Sequence, residues 1–181
     1  MNDAELDSLL RRAQSRDEAA LTRVVEHFAP RVYGLLRRLA PCSDVVEDLV
    51  QETFVRVVRT IEDYQHDGRF CAWLFQIAAN VARDHARRVR RAGAHAPPEP
   101  RAVDDVEPSA LARLAAEETR DELRRALDEL GETDREILLL RHYGDLSFQQ
   151  IADLLQVPLG TALARAHRAV KRLRAQMEAR E

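Results

Sequence analysis

Aromatic side chains make up only 5% of this 181-residue chain, which holds one tryptophan, three tyrosines and five phenylalanines. A core with so few large rings has to be filled by Leu, Val and Ala, and the abundant Ala, Leu, Arg and Glu favour helices. Strand-period alternation is missing, as is any internal repeat, so no sheet is expected. Cysteine is scarce: Cys42 and Cys71 have no CxxC spacing and no matched His pair. Small buried thiols are therefore the plainer reading than a redox or metal role. No apolar run approaches the roughly 20 residues that span a bilayer, so membrane insertion is not expected. The opening MNDAELDSLLRRAQ is acidic and amphipathic, unlike a secretory leader, and the expected compartment is the cytoplasm. Signatures of catalysis are lacking as well. There is no HExxH, no Glu-x-x-His pair, no P-loop and no nucleophile–base set, and the six histidines are scattered. Neither an enzyme nor a cofactor is expected.

What is present is 45% hydrophobic and 33% charged residues with a formal net charge of −3, fitting one domain or two small ones. An acidic balance argues against indiscriminate nucleic-acid binding and leaves the question to how the basic residues are clustered. Ser15 with Glu18 reads as a capping box opening a helix whose stripe is Leu21, Val24, Val25, Phe28, Val32, Leu35, Leu36 and Leu39, with Pro30 placed to kink it. After the break PCSD, a second helix carries Val46, Leu49, Val50, Phe54, Val57, Val58 and Ile61 at helical spacing. DYQHDGRF (63–70) reads as a loop through Asp67-Gly68. A third helix, about 71–91, starts with Ala72, Trp73 and Leu74 and ends in Arg83, Arg87, Arg88, Arg90 and Arg91.

The stretch AGAHAPPEPRAVDDVEPS then holds four of the seven prolines and almost no large apolar residue, the composition of a flexible linker. LARLAAEETRDELRRALDEL beyond it is strongly helix-periodic. Thr133 with Glu136 forms a second box opening DREILLLRHY, which Gly144 ends, and Ser147 with Gln150 forms a third opening FQQIADLLQ. The expected fold is all-α, two small helical domains joined by a flexible linker. Its last two helices, LSFQQIADLLQVPLGTALARAHRAVKRLR (146–174), have the pattern of a helix-turn-helix. Ile151, Ala152, Leu154, Leu155, Val157 and Ala162 supply its small core, Pro158 suits a helix start, and the basic second helix fits a major groove. An amphipathic hairpin with a solvated basic face satisfies the same pattern.

DLVQETFVRVVR (48–59), FCAWLFQIAANVARDHARR (70–88) and LLLRHYGDLSFQQIADLLQVPLGT (138–161) together resemble the extracytoplasmic-function sigma factors of bacterial RNA polymerase, in order and over almost the whole chain. The resemblance implies a sigma region 2 domain at 1–93, a linker at 94–109 and a sigma region 4 domain at 110–181. It implies core polymerase as partner, through the clamp helices of the largest subunit and the flap of the second-largest, promoter DNA, and an anti-sigma factor. The clamp-binding residues it points to are Asp48, Gln51, Glu52, Thr53 and Arg56, expected opposite the apolar stripe. For the −10 element and its unpaired non-template bases it points to Tyr64, Gln65, His66, Asp67, Arg69 and Phe70 in the loop. On the following helix it adds Gln76, Asn80, Arg83, Asp84 and Arg87. A pocket with stacking and edge hydrogen bonds offsets the few kcal/mol needed to flip a base, the Asn80 amide both donates and accepts, and cations hold phosphates. Trp73 offers either base stacking or packing, the latter favoured by Leu74 and Ile77 beside it. Arg87, Arg88, Arg90 and Arg91 form either a solvated helix end or a phosphate contact.

For the −35 element the resemblance points to Thr161, Leu163, Ala164, Arg165, His167, Arg168, Lys171 and Arg172, with Lys171 and Arg172 suited to phosphates. Here the chain departs from the family pattern: Leu159 stands where a polar or acidic residue is usual, and Ala166 replaces a larger apolar one. Leu163 and Ala164 remove hydrogen-bonding groups from the DNA-facing start of the helix and leave apolar contact with thymine methyls open to it. Heavier dependence on −10 contacts is one expectation from this. The competing reading is a helix-turn-helix repressor or activator acting without polymerase, which explains 146–174 but not DLVQETF or 64–91.

Overall fold

The computed structural model describes residues 2–40, 42–65, 67–92 and 123–178, all helical or connecting segments with no strand among them. The expected linker at 94–109 and most of the helix expected over 111–130 lie outside these residues. The chain divides into two compact units, one built from the helices before the linker and one from those after it, with His142–Leu146 grouped with the first.

In the first unit, α1 (Asp3–Gln14) is opened by Asn2, which accepts from the Glu5 N–H while the Glu5 carboxylate accepts from the Asn2 N–H. The capping box expected at Ser15 and Glu18 does not form. Asp17 caps α2 (Glu18–Leu39) instead, accepting from the Ala20 N–H, and the Ser15 hydroxyl bonds back to the Arg11 carbonyl. Sequence spacing allowed Ser15, but three residues, Ser15, Arg16 at a positive φ of 61° and Asp17, separate α1 from α2. The second helix runs unbroken through Pro30. A short 3-10 turn at Ser43–Val45 leads into α3 (Val46–Thr60), and another at Ile61–Asp63 leads into the loop before α4 (Phe70–Arg91).

These helices bury Val24, Phe28, Val32, Leu35 and Leu36 from α2, Val46, Leu49, Phe54 and Val57 from α3, and Leu74, Phe75, Ala78 and Val81 from α4. With the buried Thr53 between Leu49 and Phe54, each set follows steps of three or four residues, so each helix turns one stripe inward. Arg31 lies over the rings of Phe28 and Phe75, at 5.8 and 5.4 Å from their centroids. Cys42 and Cys71 are half-buried rather than fully so.

In the second unit a helical stretch at 123–128, α5, precedes α6 (Glu132–Gly144), α7 (Phe148–Leu155) and α8 (Leu159–Glu178). Helix α6 starts at Glu132, so Thr133 lies inside it rather than at its cap. Leu127 and Leu130 pack with Ala169 of α8, joined by Leu138 and Leu173. The buried edge of α8 is all alanine, Ala162, Ala166 and Ala169, which brings its backbone close to its neighbours.

Candidate nucleic-acid interface

Helix α3 carries Asp48 and Gln51 on its exposed side, with Glu52 and Arg56 half-buried beside them. Thr53 corrects the expected face: it is fully buried, and its hydroxyl donates to the Leu49 carbonyl 2.7 Å away. A threonine returning its hydroxyl to the preceding turn has no free donor, so it passes for an apolar residue on the inward stripe. Val50, assigned to the core from sequence, is half-buried, and Phe54 is buried.

Glu52 and Arg56 do not act alone. Arg56 bonds Glu52 at 2.5 Å and, across to α4, Asp84 at 3.2 Å; Asp84 also holds Arg87 at 2.6 Å, and Arg88 reaches Glu52 at 3.3 Å. Burial pushes the Asp84 carboxyl up, but bonds from Arg87 and Arg56 outweigh it and hold it below the usual range. Burial likewise opposes the charge on Arg56, and the bonds from Glu52 and Asp84 overcome it. The clamp-binding candidates of α3 and the DNA-binding candidates of α4 thus share one lattice of charge.

The loop before α4 splits its candidates in two. Tyr64 and Phe70 are buried, a correction to their expected place in an open pocket. Their rings meet edge-on at 5.4 Å, and Trp73 packs on both, 5.2 Å from Tyr64 and 5.5 Å from Phe70. Trp73 is half-buried in these contacts. Burial, reinforced by the Asp67 charge, pushes the Tyr64 phenol up to about 12, and its hydroxyl lies 3.3 Å from the Asp67 carboxylate. Gln65, Asp67 and Arg69 are exposed, while His66 lies outside the described residues. The Asp67 carboxylate accepts from the Arg69 N–H at 3.0 Å, and Gly68 takes a positive φ of 73° that a side chain would strain.

Gln76, Asn80, Arg83, Asp84 and Arg87 fall on one stripe of α4, exposed or half-buried. Arg83 donates to the Asn80 carbonyl oxygen at 2.7 Å, which orients the Asn80 amide. Two residues that sequence reasoning passed over hold this region. The Gln14 side chain donates to the carbonyls of Ile61 (3.0 Å) and Tyr64 (2.6 Å), pinning the loop to α1, and Arg16 pairs with Glu62. Separations of 46 to 50 residues left no signal in the sequence for either.

In the second unit the Ser147–Gln150 box forms as expected and opens α7. Gln156, at a φ of 54°, ends it in the left-handed conformation, and the Val157 N–H bonds the Ala152 carbonyl at 3.0 Å. Pro158 stands immediately before α8, its carbonyl accepting from the N–H groups of Thr161 and Ala162 at 2.9 and 3.1 Å. Ile151, Ala152, Leu154 and Ala162 are buried, whereas Leu155 and Val157 are half-buried. On α8, Leu163, Ala164, His167, Arg168, Lys171 and Arg172 are exposed, and Thr161 and Arg165 are half-buried. Among the described residues no group of three or more His, Cys, Asp and Glu could hold a metal ion, and no helix is long and apolar enough to cross a membrane.

Residues 24–92 match the model of Sigma-70 region 2, and residues 120–173 that of Sigma-70, region 4. The RNA polymerase sigma factor CarQ of Myxococcus xanthus is 38% identical over 152 residues, 81% of this chain and 82% of that protein. The ECF RNA polymerase sigma-E factor of Salmonella typhimurium is 30% identical over 174 residues, 89% of this chain and 88% of that protein. A solved structure of the sigma factor RpoE of Bartonella quintana in complex with the anti-sigma factor NepR has the same fold. It superposes with a TM-score of 0.69 at 22% identity, over 87% of this chain and 96% of the other.

Proposed function

Because the chain belongs to the extracytoplasmic-function sigma factors of bacterial RNA polymerase, we propose that its three polar surfaces divide the work of initiation among them. As a sigma factor it binds core RNA polymerase and promoter DNA and directs transcription initiation, a regulator of transcription. In our reading Asp48, Gln51, Glu52 and Arg56 of α3 dock on the clamp helices. The loop residues Gln65, Asp67 and Arg69, with the α4 stripe of Gln76, Asn80, Arg83, Asp84 and Arg87, hold the unpaired −10 strand. Helix α8 reads the −35 element from a region 4 domain at 110–181, tethered through 94–109 to a region 2 domain at 1–93. The chain does no chemistry itself, works in the cytoplasm, and is held in check by an anti-sigma partner.

The observation that carries this reading is the lattice joining Glu52 and Arg56 to Asp84 and Arg87, which supports a polymerase face and a DNA face on adjoining helices. A repressor acting without polymerase has no use for the α3 half of it. The test is transcription from a pool of randomised promoters by core polymerase with and without the chain. Chain-dependent transcripts sharing a two-part sequence are expected; duplex binding without transcripts or core association would reject the proposal. In the same assay Asp48→Arg lowers core affinity at least about tenfold, as removal of an interface anchor does, whereas Thr53→Val leaves it unchanged. Equal losses in the two variants would move the docking face.

A further inference from the structure

The first two turns of α8 carry a feature that −35 reading does not by itself explain. Leu159 and Leu163 are 39% and 44% exposed, and Val170 is 50% exposed. Their spacing of four and seven residues puts all three on one stripe of the helix. Beside that stripe Gly160 and Ala164 present almost no side chain, and a Cβ on Gly160 would meet open space. None of Leu159, Gly160, Leu163 and Ala164 has a side-chain hydrogen-bonding group, and His167 is the first polar side chain beyond them on the exposed face.

The charge around the stripe says what covers it. No Asp or Glu occurs from Leu159 to Met177, a span that holds Arg165, Arg168, Lys171, Arg172 and Arg174. An apolar stripe on a span rich in cations and free of acids fits a nucleic-acid duplex, whose phosphates flank the groove. In the major groove the apolar group on a base edge is the C5-methyl of thymine. We infer that this chain reads its −35 element through thymine methyl groups packed against Leu159 and Leu163, with the bare surface of Gly160 and Ala164 letting the helix approach the base edges. The inference rests on α8 being the −35 helix and goes beyond it. Discrimination at these positions comes from a methyl group, where an arginine would read guanine through paired hydrogen bonds. The −35 element therefore carries thymine, on either strand, opposite the first two turns of α8.

The test uses holoenzyme made from the full chain and core polymerase, bound to the promoter selected from the randomised pool. Each −35 thymine is replaced in turn by deoxyuridine, which removes the methyl and nothing else. Affinity is expected to fall about fourfold for each contacted methyl removed, the equivalent of roughly 0.8 kcal/mol for one such group. Leu163→Ala is expected to abolish the difference between thymine and uracil; its circular dichroism stays unchanged, because the side chain is largely exposed. A selected −35 element without thymine overturns the inference. So does equal binding of thymine and uracil with the −35 preference intact, which would give the stripe to a protein surface. Loss of any −35 preference from the pool overturns the −35 reading itself, a different result from either.

Discussion

Arginine is used in opposite ways by the two helix pairs of this protein. Where α3 and α4 face each other, three cations are answered from within the fold: Arg56 by Glu52 and Asp84, Arg87 by Asp84, Arg88 by Glu52. On α8, among the described residues, Arg165, Arg168, Lys171, Arg172 and Arg174 meet no carboxylate, and Glu178 is the first acid after Gln156. The buried face of α8 differs as well. The first unit is filled by large groups such as Phe28, Phe75, Leu35 and Leu74, while α8 is seated on Ala162, Ala166 and Ala169. A pre-paired lattice presents directed groups with little net field, as suits docking and base capture. An unpaired row presents field first, as suits a polyanion.

The core contrast is the largest effect to test. Phe28→Ala removes a fully buried ring and is expected to destabilise the first unit by about 3–5 kcal/mol. Ala166→Leu is expected to destabilise the second by about 1–3 kcal/mol through overpacking. Denaturant unfolding followed by hydrogen exchange shows which unit opens in each variant, and a similar loss from Ala166→Gly would show a roomier core. Next comes salt. Lys171→Ala or Arg172→Ala is expected to reduce the salt slope of promoter binding by about 0.9 for each phosphate that is no longer neutralised. Arg87→Ala is expected to change it less, since Asp84 already neutralises that guanidinium. An equal change would mean that the α3–α4 lattice opens on DNA.

The smallest effect is acid dependence. The Asp84 carboxyl lies below its ordinary value in the folded chain. Its contribution is therefore present above the unfolded value, near 3.9, and is lost as pH falls through the lower folded one. Its side chain is 35% exposed, so screening keeps the loss under about 1 kcal/mol. Urea unfolding of the wild type and Asp84→Asn should therefore differ above about pH 4 and converge in stronger acid. Curves that stay parallel would show that the Arg56 bridge contributes nothing.

Helical class, the stripes of α2, α3 and α4, the loop through Asp67-Gly68 and the Ser147 box were legible because each depends on residues within a few positions of one another. Caps were less legible where several candidates crowd one turn: Ser15 and Asp17 both suit an N-cap, and the positive φ at Arg16 selects the second. Thr53 misled because a hydroxyl reads as polar until its bond to Leu49 is seen. Tyr64 and Phe70 misled because a loop position is no guide to burial once three rings gather.

By itself, then, the sequence determined the all-α class, the order of the segments that match sigma regions 2 and 4, and the acid-free run of α8, since periodicity and charge are properties of neighbours along the chain. Only the tertiary structure decided that Gln14 pins the loop before α4, that Glu52 and Asp84 tie α3 to α4, and that Leu159 and Leu163 stay outside the core. Those facts join or separate groups far apart in sequence. Their energies come from burial and from carboxylate–guanidinium contact, which exist once the helices have packed.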